Sequence, residues 1–173
     1  VSQDWLKRGE VSAAVTAHPG PLQGCDTRAL GALRYRATAS PSYIAQWFPG
    51  GVTPAAIGAA PALTFSDKDR LQQIWVTRTL GKTLPHAAFP THRLASSQGF
   101  VDACLHGLGW GLNPEALVAG HLASGRLVEL VPGTALDVAL HWQFARLTAP
   151  ALAPLTCAVL RAAAGVLVPP APE

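Results

Sequence analysis

Charged residues are scarce in this chain. Asp, Glu, Lys and Arg make up 13% of its 173 residues, against roughly 25% in an ordinary globular domain. With 49% hydrophobic residues, the chain can bury a core as one domain or two small lobes, which excludes a disordered tail or a solvated coiled coil. The formal charge of +3 is scattered, with no run of three Lys or Arg, so direct nucleic-acid binding by this segment is not expected.

Residues that form disulfides or metal sites are also few. The three cysteines, Cys25, Cys104 and Cys157, form no C-x-x-C pair and predict buried thiols in a cytoplasmic protein. The six histidines never lie three or four residues apart, so no helix carries a paired metal site. We therefore expect no metal and no cofactor.

Targeting and catalytic signals are missing as well. No uninterrupted apolar run approaches the roughly 18 residues of a membrane helix, and no signal peptide is visible, so we expect no membrane contact. The chain starts at Val1 and contains no methionine, which indicates a piece of a longer polypeptide. It has no G-x-S-x-G nucleophile elbow, no G-x-x-x-x-G-K-[ST] phosphate-binding loop and no H-E-x-x-H zinc motif. We therefore expect that the protein is not an enzyme.

The most informative segment that is present runs from Ala95 to Pro114. Ser96 and Ser97 are favourable N-cap residues. Apolar residues then recur at helical spacing, namely Phe100, Val101, Cys104, Leu105 and Leu108. Gly107 and Gly109 predict left-handed helix termination, followed by a short buried strand. The glycines lie between a helix and a strand, which is the wrong context for a dinucleotide fingerprint.

Helical and strand patterns alternate along the rest of the chain. Strands are predicted at 11–16, 33–39, 62–65, 93–95, 109–112, 127–130 and 138–145. Helices are predicted at 4–8, 40–47, 54–58, 114–123 and 150–164, and another begins after Asp67 or Asp69 with Leu71, Ile74 and Trp75 on its inner face. This alternation predicts an α/β fold with a parallel or mixed sheet covered on both faces.

Several runs, taken in order, resemble the effector-binding domain of LysR-type bacterial transcription regulators. The resemblance is strongest to the arginine/lysine-responsive branch, which includes an inhibitor of chromosome initiation. The matching runs are 8–11, 31–35, 39–41, 47–53, 65–72, 96–100, 122–128 and 140–143, and they include Phe48-Pro49-Gly50-Gly51-Val52 and Ser96-Ser97 before Phe100. The chain departs from the family pattern at three positions. Ser66 stands where the family usually carries Asp or Asn, Asn113 stands where it carries an aliphatic residue, and His141 stands where it commonly carries Tyr.

The resemblance implies two lobes of the type II periplasmic-binding-protein kind. The first lobe would comprise 1–38 and 137–165, the second 39–136, and a Pro-rich tail 166–173. A winged helix-turn-helix, a linker helix and the first strand-helix unit would precede Val1, which leaves the first lobe incomplete.

In such a fold, a small effector binds in the cleft at the carboxyl ends of the strands. The residues expected to contact it are Thr16, Phe65, Ser66, Asp67, Asp69, Ser96, Ser97 and Trp142. The serine pair at a helix N-terminus suits a carboxylate, and Asp67 or Asp69 suits an ammonium group, although helix capping is the alternative role for these carboxylates. Trp142 is either a cation–π wall or a core aromatic at the lobe hinge.

The function implied is effector sensing by a transcription regulator, with lysine or arginine as the expected effector. Self-association as a dimer or tetramer is expected, and DNA would be bound only through the upstream helix-turn-helix. The alternative is a solute-binding protein or transport-type ligand-binding module, because these proteins share the fold and a fold does not fix a function.

Overall fold

A computed structural model describes residues 2–18, 20, 22–81 and 89–169 of the chain. The helices are α1 (Ser2–Lys7), α2 (Pro41–Trp47), α3 (Pro54–Ala59), α4 (Leu71–Leu80), α5 (Ser97–Leu105), α6 (Glu115–Ala123) and α7 (Ala149–Ala164). The strands are β1 (Ala13–Thr16), β2 (Cys25–Ala39), β3 (Ala62–Thr64), β4 (Thr91–Arg93), β5 (Gly111–Pro114), β6 (Val128–Glu129) and β7 (Leu136–Ala145).

The chain divides into two compact units. The first unit comprises Val1–Arg34 and Asp137–Glu173, and the second comprises Tyr35–Leu136. Strand β2 therefore contributes residues to both units.

The first unit is organised by antiparallel strands. β1 pairs with β7 from Ala13 opposite Phe144 to Thr16 opposite His141, and β7 lies between β1 and β2 in the strand order. A small core cluster beside these strands consists of Leu6, Ala14 and Cys25.

The second unit combines antiparallel and parallel pairing. The end of β2 pairs antiparallel with β5 and with β6, whereas β3 and β4 are parallel, with Thr64 opposite Arg93. Helices α2 and α3 both begin with proline after a capping hydroxyl, since Ser40 Oγ and Thr53 Oγ1 accept first-turn N–H groups. The predicted α/β fold with mixed sheets is confirmed.

The core of the second unit lies between β3, α5 and α6. Its buried members are Leu63, Phe100, Val101, Ala103, Cys104, Val118 and Leu127. The glycines of the G-x-G-x-G string have packing roles here. A Cβ on Gly109 would lie 2.7 Å from Leu63 Cδ2, and one on Gly111 would lie 2.4 Å from Phe100 Cε1.

Three strand predictions need correction. β2 begins at Cys25 rather than Leu33. The prediction started the strand after Gly31 because glycine lowers strand propensity. In the structure, Gly31 lies within the strand and makes room for the backbone of Val168. Ala32 and Val168 exchange backbone hydrogen bonds of 2.9 and 3.0 Å. β4 ends at Arg93, where the sequence predicted that it would begin, and β5 extends to Pro114.

The helices bring further corrections. In α4, Gln72, Trp75 and Val76 are buried, whereas Ile74 is 41% exposed and lies on the outer side, contrary to prediction. Gly107 ends α5 with a φ of 73°, as predicted, but Gly109 has no positive φ.

The cysteines follow the prediction in part. Cys25 and Cys104 are buried thiols, whereas Cys157 on α7 is exposed. Helix α7 has no buried residue, and its least accessible side chains are only half-buried.

One segment is long and apolar enough to cross a membrane. This is Arg146–Ala164, with a mean hydropathy of 1.4 and 6% of its window buried. The sequence predicted no such span, because no uninterrupted apolar run approaches about 18 residues. The segment meets this criterion by length and composition only, and it is mostly exposed, unlike the core helix of a soluble protein.

Candidate functional site: a polar cavity in the second unit

The carboxyl ends of β3 and β4 open onto a polar cavity. Because these parallel strands are in register at Thr64 and Arg93, the segments that follow them leave from one edge of the sheet. A cavity of about 150 Å³ lies there. Its lining consists of Thr64, Ser66, Asp67, Asp69, Gln72, Gln73, Phe89, Thr91 and Arg93, all of the second unit.

Asp69 organises the loop between β3 and α4. Its Oδ2 accepts the backbone N–H of Phe65 at 2.9 Å, and its Oδ1 accepts that of Leu71 at 3.0 Å. Such bonds satisfy donors that a helix start leaves without partners. The N-cap position of α4 is Arg70, which makes no side-chain cap bond, so Asp69 acts from the preceding residue and satisfies one first-turn donor, Leu71 N–H. Asp69 also lines the cavity.

Asp67 has a different partner. It forms an ion pair with Arg93, the last residue of β4, with side chains 75% and 60% exposed. Among the lining residues, two carboxylates and one guanidinium leave a net charge of −1. The cavity is therefore suited to a cation.

Gln72 is a buried polar residue of the cavity lining. It is 2% exposed, and its Nε2 donates to the Leu63 carbonyl at 2.6 Å and lies 3.4 Å from Asp69 Oδ2. A carbonyl only accepts, so the amide nitrogen must face Leu63 and the orientation of the amide is fixed. Its Oε1 accepts no hydrogen bond from the described residues.

Tyr35 of β2 lies within electrostatic range of this site. Burial, and secondarily the negative charge of Asp69, raises the pKa of its phenol above the ordinary value. Tyr35 therefore stays protonated at neutral pH and remains a hydrogen-bond donor.

The predicted serine pair lies apart from the cavity lining. Ser96 Oγ accepts the Gly99 N–H at 3.1 Å and caps α5, as predicted for a helix start. Ser97 is the first residue of α5, and both serines are exposed.

The remaining predicted contacts are distributed as follows. Phe65 is 46% exposed beside the cavity. Thr16 and Trp142 belong to the first unit, where Thr16 Oγ1 accepts the His18 N–H at 3.1 Å. Trp142 is 6% exposed and its Nε1 donates to Thr156 Oγ1 at 3.0 Å, as in a core aromatic.

Thus the structure brings Ser66, Asp67 and Asp69 together and adds Gln72 and Arg93, which sequence reasoning missed. Gln72 lies three residues after Asp69, a spacing that places both on one side of a helix start. Arg93 was assigned to a strand without a partner. Within the described ranges, no group of three His, Cys, Asp or Glu side chains is arranged to hold a metal ion.

Comparison with known proteins identifies the domain family of the chain. Residues 2–164 match the LysR substrate binding domain family. The HTH-type transcriptional regulator ArgP of Pseudomonas aeruginosa (strain UCBPP-PA14) is 43% identical over 163 residues, which cover 94% of this chain and 53% of that protein. The chain therefore spans about half the length of the curated relatives that it matches.

Solved structures agree. The C-terminal domains of a LysR family protein from Agrobacterium tumefaciens str. C58 superpose with a TM-score of 0.92 and 56% identity, covering 96% of this chain and 79% of that one. Full-length LysG from Corynebacterium glutamicum with bound effector Arg gives a TM-score of 0.82 and 35% identity, covering 96% of this chain and 56% of that one. The predicted resemblance is confirmed, and the chain belongs to the LysR substrate-binding domain family.

Proposed function

We propose that this domain senses a basic amino acid, arginine or lysine, for a bacterial LysR-type transcription regulator. Its family membership and its likeness to an arginine-bound LysG support this role over that of a transport-type solute-binding module. The observation that carries the proposal is the cavity at the ends of β3 and β4, whose lining has a net charge of −1 and includes the Asp67 and Asp69 carboxylates.

The ligand is held by complementary charges at its two ends. Its side-chain cation enters the polar cavity near Asp67, Asp69 and Ser66, with the exposed Phe65 ring against its aliphatic part. Its carboxylate meets Ser96 and Ser97 at the N-terminus of α5, where first-turn N–H groups and the helix dipole favour an anion.

The response is a conformational change and involves no chemical reaction. The chain passes from one unit to the other after Arg34 and after Leu136. The predicted hinges, near Ala39 and Leu136, lie within a few residues of these crossings. A ligand can shift the equilibrium between two conformations only if it binds one of them more tightly than the other. The regulator must therefore have two conformations that differ in their affinity for arginine or lysine.

The whole regulator is cytoplasmic, associates as a dimer or tetramer and contacts DNA through an upstream helix-turn-helix. This chain lacks clustered Lys and Arg, so counterion release on DNA would be small. In a fluorescence anisotropy titration at low salt, the 173-residue chain should show only weak nonspecific attraction. Submicromolar sequence-specific binding would place the DNA-reading surface within this domain.

A thermal-shift experiment tests the ligand class. A ligand that binds only the folded state raises the melting temperature by mass action. Millimolar arginine or lysine should therefore raise the Tm of the chain, whereas leucine at the same concentration should not. Equal shifts for all three amino acids, or no shift with any of them, would rule out a basic effector.

A further inference from the structure

We propose that the second unit carries another ligand site, which binds a small organic carboxylate at the C-terminal end of α4. This inference goes beyond the proposed function, because the site shares no lining residue with the cavity at the ends of β3 and β4. It starts from a separate cavity of about 240 Å³. Its lining residues, all of the second unit, are Trp75, Arg78, Thr79, Thr134, Ala135 and Leu136.

One wall of this second cavity is a face of α4. Arg78 and Thr79 lie three and four residues after Trp75, a spacing that places the three side chains on the same face of a helix. Trp75 is 1% exposed, whereas Arg78 is exposed and Thr79 is half-buried. This wall therefore combines a buried ring with a guanidinium and a hydroxyl that lie nearer to solvent.

The other wall is the segment that leads into β7. The Trp75 Nε1–H donates to the Thr134 carbonyl at 2.8 Å and to Thr134 Oγ1 at 3.1 Å. Thr134 Oγ1 donates in turn to the Val131 carbonyl at 2.6 Å. Ala135 and the buried Leu136 follow and add apolar surface. The cavity thus lies between two segments that are joined directly by the Trp75–Thr134 hydrogen bonds.

The charge of the lining favours an anion. Arg78 is the one charged residue among the six, and within the part of the chain that the structure describes its guanidinium has no hydrogen-bond or ion-pair partner. The planar fork of an arginine matches a carboxylate, with which it forms two parallel hydrogen bonds. Because α4 ends at Gly81, the negative pole of its helix dipole lies at this end and does not attract an anion. The attraction must therefore come from Arg78.

The remaining lining residues favour a carboxylate with a short hydrocarbon part. The Thr79 hydroxyl is a second donor on the same helix face, and Trp75, Ala135 and Leu136 supply apolar surface. Inorganic phosphate carries more charge than one guanidinium neutralises and has no apolar part for these walls. We therefore expect a small monocarboxylate such as butyrate to be bound in preference to phosphate.

The test is an NMR titration of the 173-residue chain at constant ionic strength, followed at the indole N–H of Trp75. The probes are butyrate, its neutral isostere butyramide, and inorganic phosphate. Butyrate should shift the Trp75 resonance and bind about ten-fold or more tightly than butyramide, because a hydrogen bond to a charged group is the stronger one. Phosphate should bind more weakly than butyrate.

Variants assign the site to its residues. Arg78→Gln removes the charge of the lining and should weaken butyrate binding about ten-fold or more. Arg126→Gln is the matched control, because Arg126 is an exposed arginine of the same unit that lines neither cavity. It changes the net charge equally and should leave the butyrate affinity within about two-fold of wild type. Thr79→Val, which replaces the hydroxyl by a methyl group, should weaken butyrate binding about three- to ten-fold.

Three results would overturn the proposed site: a Trp75 resonance that does not respond to millimolar butyrate, equal binding of butyrate and butyramide, or wild-type butyrate affinity in Arg78→Gln. An equal loss of affinity in Arg78→Gln and Arg126→Gln would also overturn it, because the attraction would then come from net charge alone. Tighter binding of phosphate would overturn the carboxylate as the ligand class. Should Thr79→Val fail to fold in a denaturation curve, the comparison of Arg78→Gln with Arg126→Gln, both at exposed side chains, still decides.

Discussion

The polar cavity and the apolar core of the second unit are built from similar parts but use them differently. Each contains a buried amide with an unused oxygen, Gln72 in the cavity and Asn113 in the core. Around Gln72 lie carboxylates at the ends of parallel strands, whereas Asn113 lies against Thr38 and Cys104. Both oxygens are buried, so the two regions differ in the groups around the amide, which are charged beside Gln72 and uncharged beside Asn113.

This comparison makes a two-way prediction. Changes in the core should reduce stability and leave ligand affinity intact, whereas changes in the cavity should alter affinity with little loss of stability. Each variant below is therefore measured by both denaturation and arginine titration.

The largest expected effect lies in the core and depends on pH. Burial raises the pKa of the Cys104 thiol from 9.0 to about 11. Below pH 9 the thiol is neutral in both the folded and the unfolded chain, and the full stability is present. Between pH 9 and 11 the thiol ionises in the unfolded chain but stays neutral in the folded one, so the free energy of unfolding falls as the pH rises. Over this window of about two pH units the loss is about 2–3 kcal/mol.

Urea denaturation between pH 8 and 11 measures this loss. Cys104→Ala should show a correspondingly flatter profile than wild type, while Cys157→Ala, at an exposed thiol, should follow the wild-type curve. Parallel curves for wild type and Cys104→Ala would mean that Cys104 is not buried as described.

The next effect concerns the close packing of β5 on α5. A Cβ on Gly111 would lie 2.4 Å from Phe100 Cε1 and 3.3 Å from Leu63 Cβ, so Gly111→Ala should destabilise by about 1–3 kcal/mol. Gly120 on α6 is the matched control, since nothing lies within 4 Å of its Cβ position. Gly120→Ala should stabilise by about 0.5–1 kcal/mol. Loss of stability in both variants, or in neither, would refute this account of the glycines.

The serine pair separates capping from ligand binding. Ser96→Ala removes the acceptor of the Gly99 N–H and should cost about 1 kcal/mol of stability. Ser97→Ala should leave stability nearly unchanged but weaken arginine binding by about 1–3 kcal/mol if its hydroxyl meets the ligand carboxylate. An unchanged affinity in the Ser97 variant would remove Ser97 from the site.

The smallest effect is expected at the rim of the cavity. The Asp67–Arg93 pair is mostly exposed, and such pairs contribute little, so Arg93→Gln should change stability by less than about 0.5 kcal/mol. Removing this competing cation makes the cavity more negative, and arginine should bind about two- to five-fold more tightly at low salt. Tighter binding that persists unchanged in high salt would argue against an electrostatic cause.

Local signals predicted much of the fold. The α/β class, the capping serine Ser96 and the helix end at Gly107 depend on contacts within a few residues, and all three were found as predicted. The start of β2 was missed because Gly31 accommodates the backbone of Val168, a segment more than a hundred residues away.

The candidate site could be predicted only in part for the same reason. Asp67 and Asp69 stand out in the sequence as polar residues after a buried strand. The position of the Gln72 amide depends on the Leu63 carbonyl that accepts its N–H, and the position of Arg93 depends on the parallel register of β3 and β4. Neither relation has a local sequence signal.

The central claim is that the cavity between the ends of β3 and β4 binds the cationic end of arginine. The most direct measurement is a crystal structure of the 173-residue chain grown with arginine. We predict a guanidinium nitrogen within about 3.2 Å of a carboxylate oxygen of Asp67 or Asp69. An arginine molecule bound elsewhere, with no ligand nitrogen at either carboxylate, would contradict the claim.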